Sequence, residues 1–189
     1  MISAILLAAG QSKRMNGENK LTKNFKNYPL IKHSVKNILD SSIDELIIVI
    51  GHQKEIIKKI VGDNEKIKFV FNKDFKSGIA SSIKTGINNL SEKTEIFFIC
   101  LGDMPLIKPN IYNKLINSKN NKEIIVPFYK GQQGNPVLFS RSMKDRIMSI
   151  KGDVGAKEII KLNNDKLLKI EVSEECITKD LNTQDSFNS

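Results

Sequence analysis

Cysteine is scarce in this chain, and a long hydrophobic run is missing altogether. The two cysteines among 189 residues, Cys100 and Cys176, stand far apart and share no metal-type spacing. Neither a disulfide framework nor a cysteine-held metal is therefore expected. No apolar stretch approaches the roughly 20 residues of a bilayer span. Met1-Ile2-Ser3-Ala4 brings no basic n-region, and the apolar run behind it is too short for a secretory signal. Low-complexity tracts, Gly/Ser linkers and internal repeats are lacking as well. The expectation is one soluble, cytoplasmic domain spanning 1–189, long enough for a sizeable core and with no membrane partner.

Several catalytic and ligand-binding signatures are absent too. Gly10 and Gly17 are too far apart for a Walker loop, no Lys-Ser or Lys-Thr pair follows Gly17, and no G-x-G-x-x-G occurs. His33 and His52 have no second histidine at ligand spacing, and no Ser-His-Asp or Cys-His set is visible, so both read as surface or turn residues. Ser81 to Lys84 spells S-x-x-K, but the other marks of the serine acylases are missing. Cys100 lies within an apolar strand and reads as core.

What is present begins with charge. Thirty basic residues against 21 acidic give +9 and a pI near 9.4, a balance that favours polyanionic partners. The lysines are scattered, however, and no arginine-rich or aromatic-interleaved tract accompanies them. The plentiful Asn, Lys and Ile are also what an AT-rich coding bias produces. A nucleic-acid partner is not expected.

The patterning alternates between strand and helix. Apolar runs at 2–7, 45–50, 67–71, 95–101 and 123–128 predict strands, with further strands at 136–139 and 167–172. Between them, Ile31, Val35, Ile38 and Leu39 share one helical face, as do Ile79, Ile83, Ile87 and Leu90. Helices are predicted over 30–39, 77–90, 142–150 and 154–162. Repeated β-α units imply an α/β fold: a Rossmann-like three-layer α/β/α arrangement with a mostly parallel sheet. In such a sheet ligands sit beyond the carboxyl ends of the strands. Residues 10–20, 72–82 and 102–105 all follow strands and are predicted to meet at one edge.

The first of these segments is chemically the richest. Ala8, Ala9 and Gly10 leave main-chain N–H groups uncovered, and Lys13, Arg14 and Lys20 supply positive charge. At about 4 Å and an effective dielectric near 20, one lysine–phosphate pair interacts by about 4 kcal/mol before desolvation. Two or three such cations suit a triphosphate. Asp103 appears just past a strand that is almost wholly apolar, bracketed by Gly102 and Met104-Pro105, and a carboxylate there suits Mg²⁺. Its alternative role is a cap for a helix starting near Lys108. Asp180 and Asn182 offer further oxygens, or Asn182 or Thr183 opens a last helix. Ser81 and Ser82 stand in the first turn of a helix, where hydroxyls and free N–H groups can meet a base, ribose or phosphate.

Together these segments resemble the MobA-like nucleotidyltransferases, and within them the branch that makes the cytosine dinucleotide form of the molybdenum cofactor. The family opening L-A-A-G-x-S-x-R-M-G-x-x-K-L stands here from Leu7 through Ala8, Ala9, Gly10, Ser12 and Arg14 to Lys20-Leu21, with Asn16 as an extra residue or substitution. Asn72, Gly78 and Ser82 look like the base and ribose segment, and Gly102-Asp103-Met104-Pro105 like the magnesium motif. Gly134-Asn135-Pro136-Val137-Leu138-Phe139 resembles G-H-P-V-L-F with Asn for His. Gly152-Asp153-Val154-Gly155-Ala156 is similar to G-D-x-G-A, and Asp180-Leu181-Asn182-Thr183-Gln184-Asp185 to D-[IV]-[DN]-T-P-E-D.

The resemblance implies an Mg²⁺-dependent transfer of CMP from CTP to the terminal phosphate of molybdopterin, with release of pyrophosphate and a molybdoenzyme as a possible partner. By the same resemblance Arg14 and Lys20 hold the triphosphate, Asp103 with Asp180 or Asn182 binds the metal, and Gly134, Asn135, Pro136 and Asp153 face the acceptor. Ala9, where the guanylyl branch has Gly, points to CTP over GTP. Rival readings are guanylyl transfer from GTP, or a relative acting on a sugar phosphate or isoprenoid precursor. From other classes come an inactive cofactor-binding chaperone for a molybdoenzyme and a basic RNA-binding domain, the latter predicting salt-steep binding. Asp103 and Lys20 speak against an inactive protein, since neither is needed merely to fold.

Overall fold

Both phases of the strand alternation are apolar, so each central strand must be covered on two sides. The computed structural model describes residues 1–12, 19–150, 152, 155 and 157–181. Within them the chain runs β1 (Ile2–Ala8), the short hairpin β2 (Asn24–Phe25) and β3 (Tyr28–Pro29), α1 (Leu30–Leu39), β4 (Glu45–Ile50), α2 (Lys54–Val61), β5 (Ile67–Phe71), α3 (Ile79–Ile87), β6 (Ile96–Leu101) and α4 (Pro109–Asn117). It continues through β7 (Ile124–Tyr129), β8 (Gln132–Gln133), β9 (Val137–Ser140), α5 (Lys144–Met148), α6 (Lys157–Leu162) and β10 (Leu167–Glu171). Single 3-10 turns stand at Lys20–Thr22, Phe75–Ser77, Arg141–Met143, Asn164–Lys166 and Glu175–Thr178.

The main sheet has the order β10-β7-β9-β6-β1-β4-β5, with β8 beside β7. β1 pairs in parallel with both β4 and β6, β4 with β5, and β7 with β10, while β9 is antiparallel to β6 and β7. Ala4, Leu6 and Ala8 of β1, Leu46, Ile48 and Ile50 of β4, and Phe98 and Cys100 of β6 face one core under α1, α2 and α4. Ile5, Ile47, Val49, Phe97 and Ile99 face the other, under α3, α5 and α6. Each fully buried Ile or Phe contributes about 1.5–3 kcal/mol relative to exposure. The expected three-layer α/β/α fold is present.

The departures have physical reasons. β9 runs antiparallel because the links from β7 through β8 are too short for the crossover that a parallel neighbour requires. α2 was not foreseen: Ile57, Ile60 and Val61 pack its inner face on the core, but its eight residues are shorter than the span over which a helical period stands out, and the β4-to-β5 crossover needs it. α3 is shorter than 77–90 because Gly78, at φ +105°, takes a conformation that stops the helix on its N-terminal side. α6 begins at Lys157; residues 154 and 156 lie outside those described. No described helix is long and apolar enough to cross a membrane.

A Cβ on Gly86 of α3 would lie 2.3 Å from Cγ2 of Ile5 and 3.2 Å from Cγ2 of Val49. These stiff, β-branched neighbours cannot swing away, so Gly86→Val is expected to lower unfolding free energy by about 1–3 kcal/mol in a denaturant titration. An unchanged midpoint would contradict this approach of α3 to β1 and β4. Ahead of β7, Glu123 accepts hydrogen bonds from the Lys166 ammonium and the Ser142 hydroxyl, which hold its carboxyl below the usual range. A depressed carboxylate stabilises the fold above its unfolded pKa and loses that contribution as pH falls through the folded value. Glu123→Gln should therefore lower the melting temperature at neutral pH, with the gap to wild type closing in acid; a gap independent of pH would refute the pairing.

Candidate functional site

Parallel register decides where the loops meet. Leu7 of β1 lies opposite Val49 of β4 and Leu101 of β6, and Ala8 opposite Ile50. The segments after β1, β4 and β6 therefore emerge side by side at the carboxyl edge. Gly102 extends the junction: its N–H donates to the Leu7 carbonyl at 3.1 Å, and its own carbonyl accepts from Ser34 Oγ of α1 at 3.0 Å. A Cβ on Gly102 would stand 3.0 Å from the Leu7 oxygen and 3.3 Å from the Leu21 methyls, so a side chain there would press on both the strand end and the Lys20 turn.

At this junction Lys20 Nζ donates to Asp103 Oδ2 at 2.5 Å, although the two residues are 83 positions apart. Both side chains are mostly shielded, 16% and 17% exposed. The helix-cap alternative for Asp103 does not hold: α4 is preceded by Lys108 without a side-chain cap and starts on Pro109. Lys20 is positioned by its own turn. Its N–H donates to Ser12 Oγ at 3.1 Å, Asn19 Oδ1 accepts from the Leu21 N–H at 3.1 Å, and buried Leu21 anchors the turn in the core. The C-terminal segment reaches the same place, since the Leu181 N–H donates to the Asp103 carbonyl at 3.0 Å. Exposed Asp180 is thereby brought beside Asp103 in the chain path. Arg14, Asn16, Gly17, Asp153, Asn182 and Thr183 lie outside the described residues.

The opening run divides in two. Leu7 and Ala8 lie inside β1, and Ala9 is 3% exposed with its carbonyl accepting the His52 N–H at 3.3 Å. The expectation of uncovered main chain from Ala8 and Ala9 onward thus narrows to Gly10, which is exposed and has nothing within 4 Å of where a Cβ would stand. Ala9 buries its methyl in the second core, so any influence on base choice acts through where it places the loop.

Asn72 and Ser82 are buried and bonded to each other. Asn72 Nδ2 donates to Ser81 Oγ at 2.8 Å and Ser82 Oγ at 3.0 Å, while its Oδ1 accepts from the Asp74 N–H at 3.0 Å. They tie the end of β5 to the first turn of α3, where Ala80 N–H donates to the Gly152 carbonyl at 3.2 Å. Gly152 is so placed at the start of α3. On the acceptor side, Gly134 N–H donates to Pro127 O at 2.9 Å and Asn135 N–H to Ile177 O at 2.8 Å, ahead of buried Pro136 and a cis Asn135–Pro136 bond. A Cβ on Gly134 would lie 2.5 Å from Ile177 Cδ1.

Sequence reasoning missed several contributors. Gly51, directly after β4, must be glycine, because a Cβ would lie 2.7 Å from Phe75 Cβ and 2.8 Å from the Ala9 oxygen. A glycine closing an apolar strand was the available signal. Ser34, Asn19 and Ile177 gave none. His33 sits on α1 with Nε2 against the Phe25 carbonyl at 2.8 Å, and His52 in the turn after β4. Cys100 is core, its thiol pushed up by burial. Among the described residues no group of three or more His, Cys, Asp and Glu could hold a metal. The oxygen donors of Asp103 and Asp180 nevertheless fit a hard divalent ion that takes its remaining ligands from phosphates and water.

Comparison with known proteins places this geometry. Residues 4–169 match the family model described as MobA-like NTP transferase domain. The chain belongs to that family. It is a nucleotidyltransferase, acting on a nucleoside triphosphate and an acceptor. It is 26% identical to the molybdenum cofactor cytidylyltransferase of Escherichia coli K12 over 186 residues, which cover 98% of this chain and 93% of that protein. Bifunctional protein GlmU of Staphylococcus saprophyticus is 28% identical over 151 residues, 78% of this chain, and the match spans only 33% of GlmU. Rv0371c of Mycobacterium tuberculosis H37Rv has the same fold, with a TM-score of 0.88 at 21% identity, covering 99% of this chain and 95% of that one. A further Rv0371c structure is a complex with manganese.

The Gly51 contact yields a prediction. Gly51→Ala forces Ala9 and Phe75 apart, with a stability loss of about 1–3 kcal/mol in denaturant titration and weaker binding of nucleoside triphosphate in calorimetry. Wild-type affinity in this variant would show that the Ala9 carbonyl does not set the loop.

Proposed function

We propose that the chain transfers a cytidylyl group from CTP to the terminal phosphate of a molybdopterin-type acceptor, with Mg²⁺ as the metal. The observation that carries the reading is the meeting of Lys20 Nζ and Asp103 Oδ2 at the ends of β1 and β6. An ammonium and a carboxylate at one point are what a metal–triphosphate complex asks of a protein. Support for the cytidylyl branch comes from the end-to-end similarity to the E. coli cytidylyltransferase, and from Ala9 and the Gly134-Asn135-Pro136 segment.

In this reading an oxygen of the acceptor phosphate attacks the α-phosphorus, the bond to the β-phosphate oxygen breaks, and pyrophosphate leaves. Lys20, with Arg14, binds the triphosphate and meets the charge that grows on the departing pyrophosphate. Main chain from Gly10 to Ser12 borders the phosphates. Asn72, Ser82 and Gly78 hold the wall at the nucleoside end, and Gly134, Asn135, Pro136 and Asp153 border the acceptor. Asp103, with Asp180 or Asn182, would hold Mg²⁺, which supplies charge neutralisation and orientation of the phosphates. The protein's contribution is position and charge rather than a covalent intermediate. The similarity to GlmU favours, as a second reading, transfer to a different phosphorylated acceptor.

The test incubates the protein with Mg²⁺, molybdopterin and each of the four nucleoside triphosphates, and follows pyrophosphate release. Release is expected with CTP above the other three, and Lys20→Ala or Asp103→Ala should lower it by about 10²–10³-fold. A preference for GTP would overturn the cytidylyl assignment. Turnover only with a sugar phosphate in place of molybdopterin would favour the second reading, and full activity in Asp103→Ala would remove the metal-site proposal.

A further inference from the structure

Beside Lys20, Asn19 is 1% exposed, and only half of its side-chain amide is matched. Oδ1 accepts the Leu21 N–H and fixes the amide plane, while the Asn19 carbonyl accepts from Thr22 Oγ1 at 2.8 Å. Nδ2 is buried with no hydrogen-bond partner, and it is the one such side-chain atom among the described residues. Both hydrogens of a desolvated amide left without an acceptor disfavour the fold, and a serine at the same position would keep the turn's cap without that burden. The chain thus carries a donor that local structure does not use. It does so one residue from the ammonium that meets Asp103, and seven from Ser12, whose Oγ accepts the Lys20 N–H.

We infer that Asn19 is a nucleotide-binding residue whose Nδ2 donates to a phosphate oxygen when the triphosphate seats at Lys20. This rests on the site reading above and adds to it a neutral donor, distinct from the cations. An anionic oxygen is the matching acceptor: it takes hydrogen bonds of roughly twice the strength of a neutral one and needs several donors at once. Because Nδ2 is shut from solvent, its acceptor arrives with the ligand, and seating the phosphate must displace what covers the amide. Asn19 is in this sense a stability sacrifice made for binding, of the kind that functional sites carry.

The experiment compares wild type with Asn19→Ser and Asn19→Asp, both of which keep an oxygen to cap the Leu21 N–H. Binding of CTP with Mg²⁺, and of inorganic tripolyphosphate, is measured by calorimetry without acceptor, alongside the melting temperature of the free protein. Asn19→Ser should weaken both ligands by the same factor, about tenfold or more, with a melting temperature no lower than wild type. Asn19→Asp should weaken them further, since it sets a carboxylate where the donor was. Unchanged affinities in the two variants would overturn the inference, as would loss of CTP binding with tripolyphosphate binding intact. If wild type binds neither probe, the site reading itself falls. If Lys20→Ala abolishes binding while both Asn19 variants match wild type, the site stands and the role of Asn19 does not.

Discussion

β1 is the constraint on which the rest depends. It lies between β4 and β6 in parallel register with both, its side chains alternating between two apolar cores. Parallel pairing fixes direction as well as position, so the chain leaves all three strands at the same edge. A slip of one residue would exchange the side chains of the two cores, and their close packing resists it. The loops that bear Gly10, Gly51 and Asp103 are neighbours for this reason, although the chain visits them dozens of residues apart.

The Lys20–Asp103 pair is then a consequence of the sheet rather than of local sequence. Glycine stands at each crossing: Gly102 close between the Leu7 carbonyl and Leu21, and Gly51 between the Ala9 carbonyl and Phe75, where a Cβ would force a shift. Asp103 receives Lys20 on its side chain and Leu181 on its carbonyl, so three distant segments converge on one residue. The partly shielded carboxylate has the Lys20 ammonium at 2.5 Å, so an oxygen donor and a cation stand together at one point. Asn19 adds an unmatched donor at the same turn, a feature that folding alone does not explain.

Much of this was legible in the chain. Buried strands with two apolar phases, and helices with Ile31, Val35 and Ile38 or Ile83 and Ile87 on one face, announce themselves by period. Asp103 stood out because a charge between Gly102 and Pro105 at the tip of an apolar strand has few structural uses. What was not legible came from contacts between distant residues. Ser34 reaches Gly102 across 68 positions, Ile177 packs on Gly134, and Asn72 with Ser82 form a buried pair rather than an open ligand face. The antiparallel course of β9 depends on link length, which apolar patterning does not encode. α2 was hidden by its length, since two turns bearing Ile57, Ile60 and Val61 are too few to establish a period.

The central claim is that a triphosphate and its metal sit where β1 and β6 end. A crystal structure of the protein with a nucleoside triphosphate and a divalent cation tests it directly. The account predicts phosphate oxygens within hydrogen-bond distance of Lys20 Nζ and of main-chain N–H groups between Gly10 and Ser12, with the cation on the Asp103 carboxylate. A triphosphate bound elsewhere, with Lys20 still on Asp103 and no cation there, would contradict it.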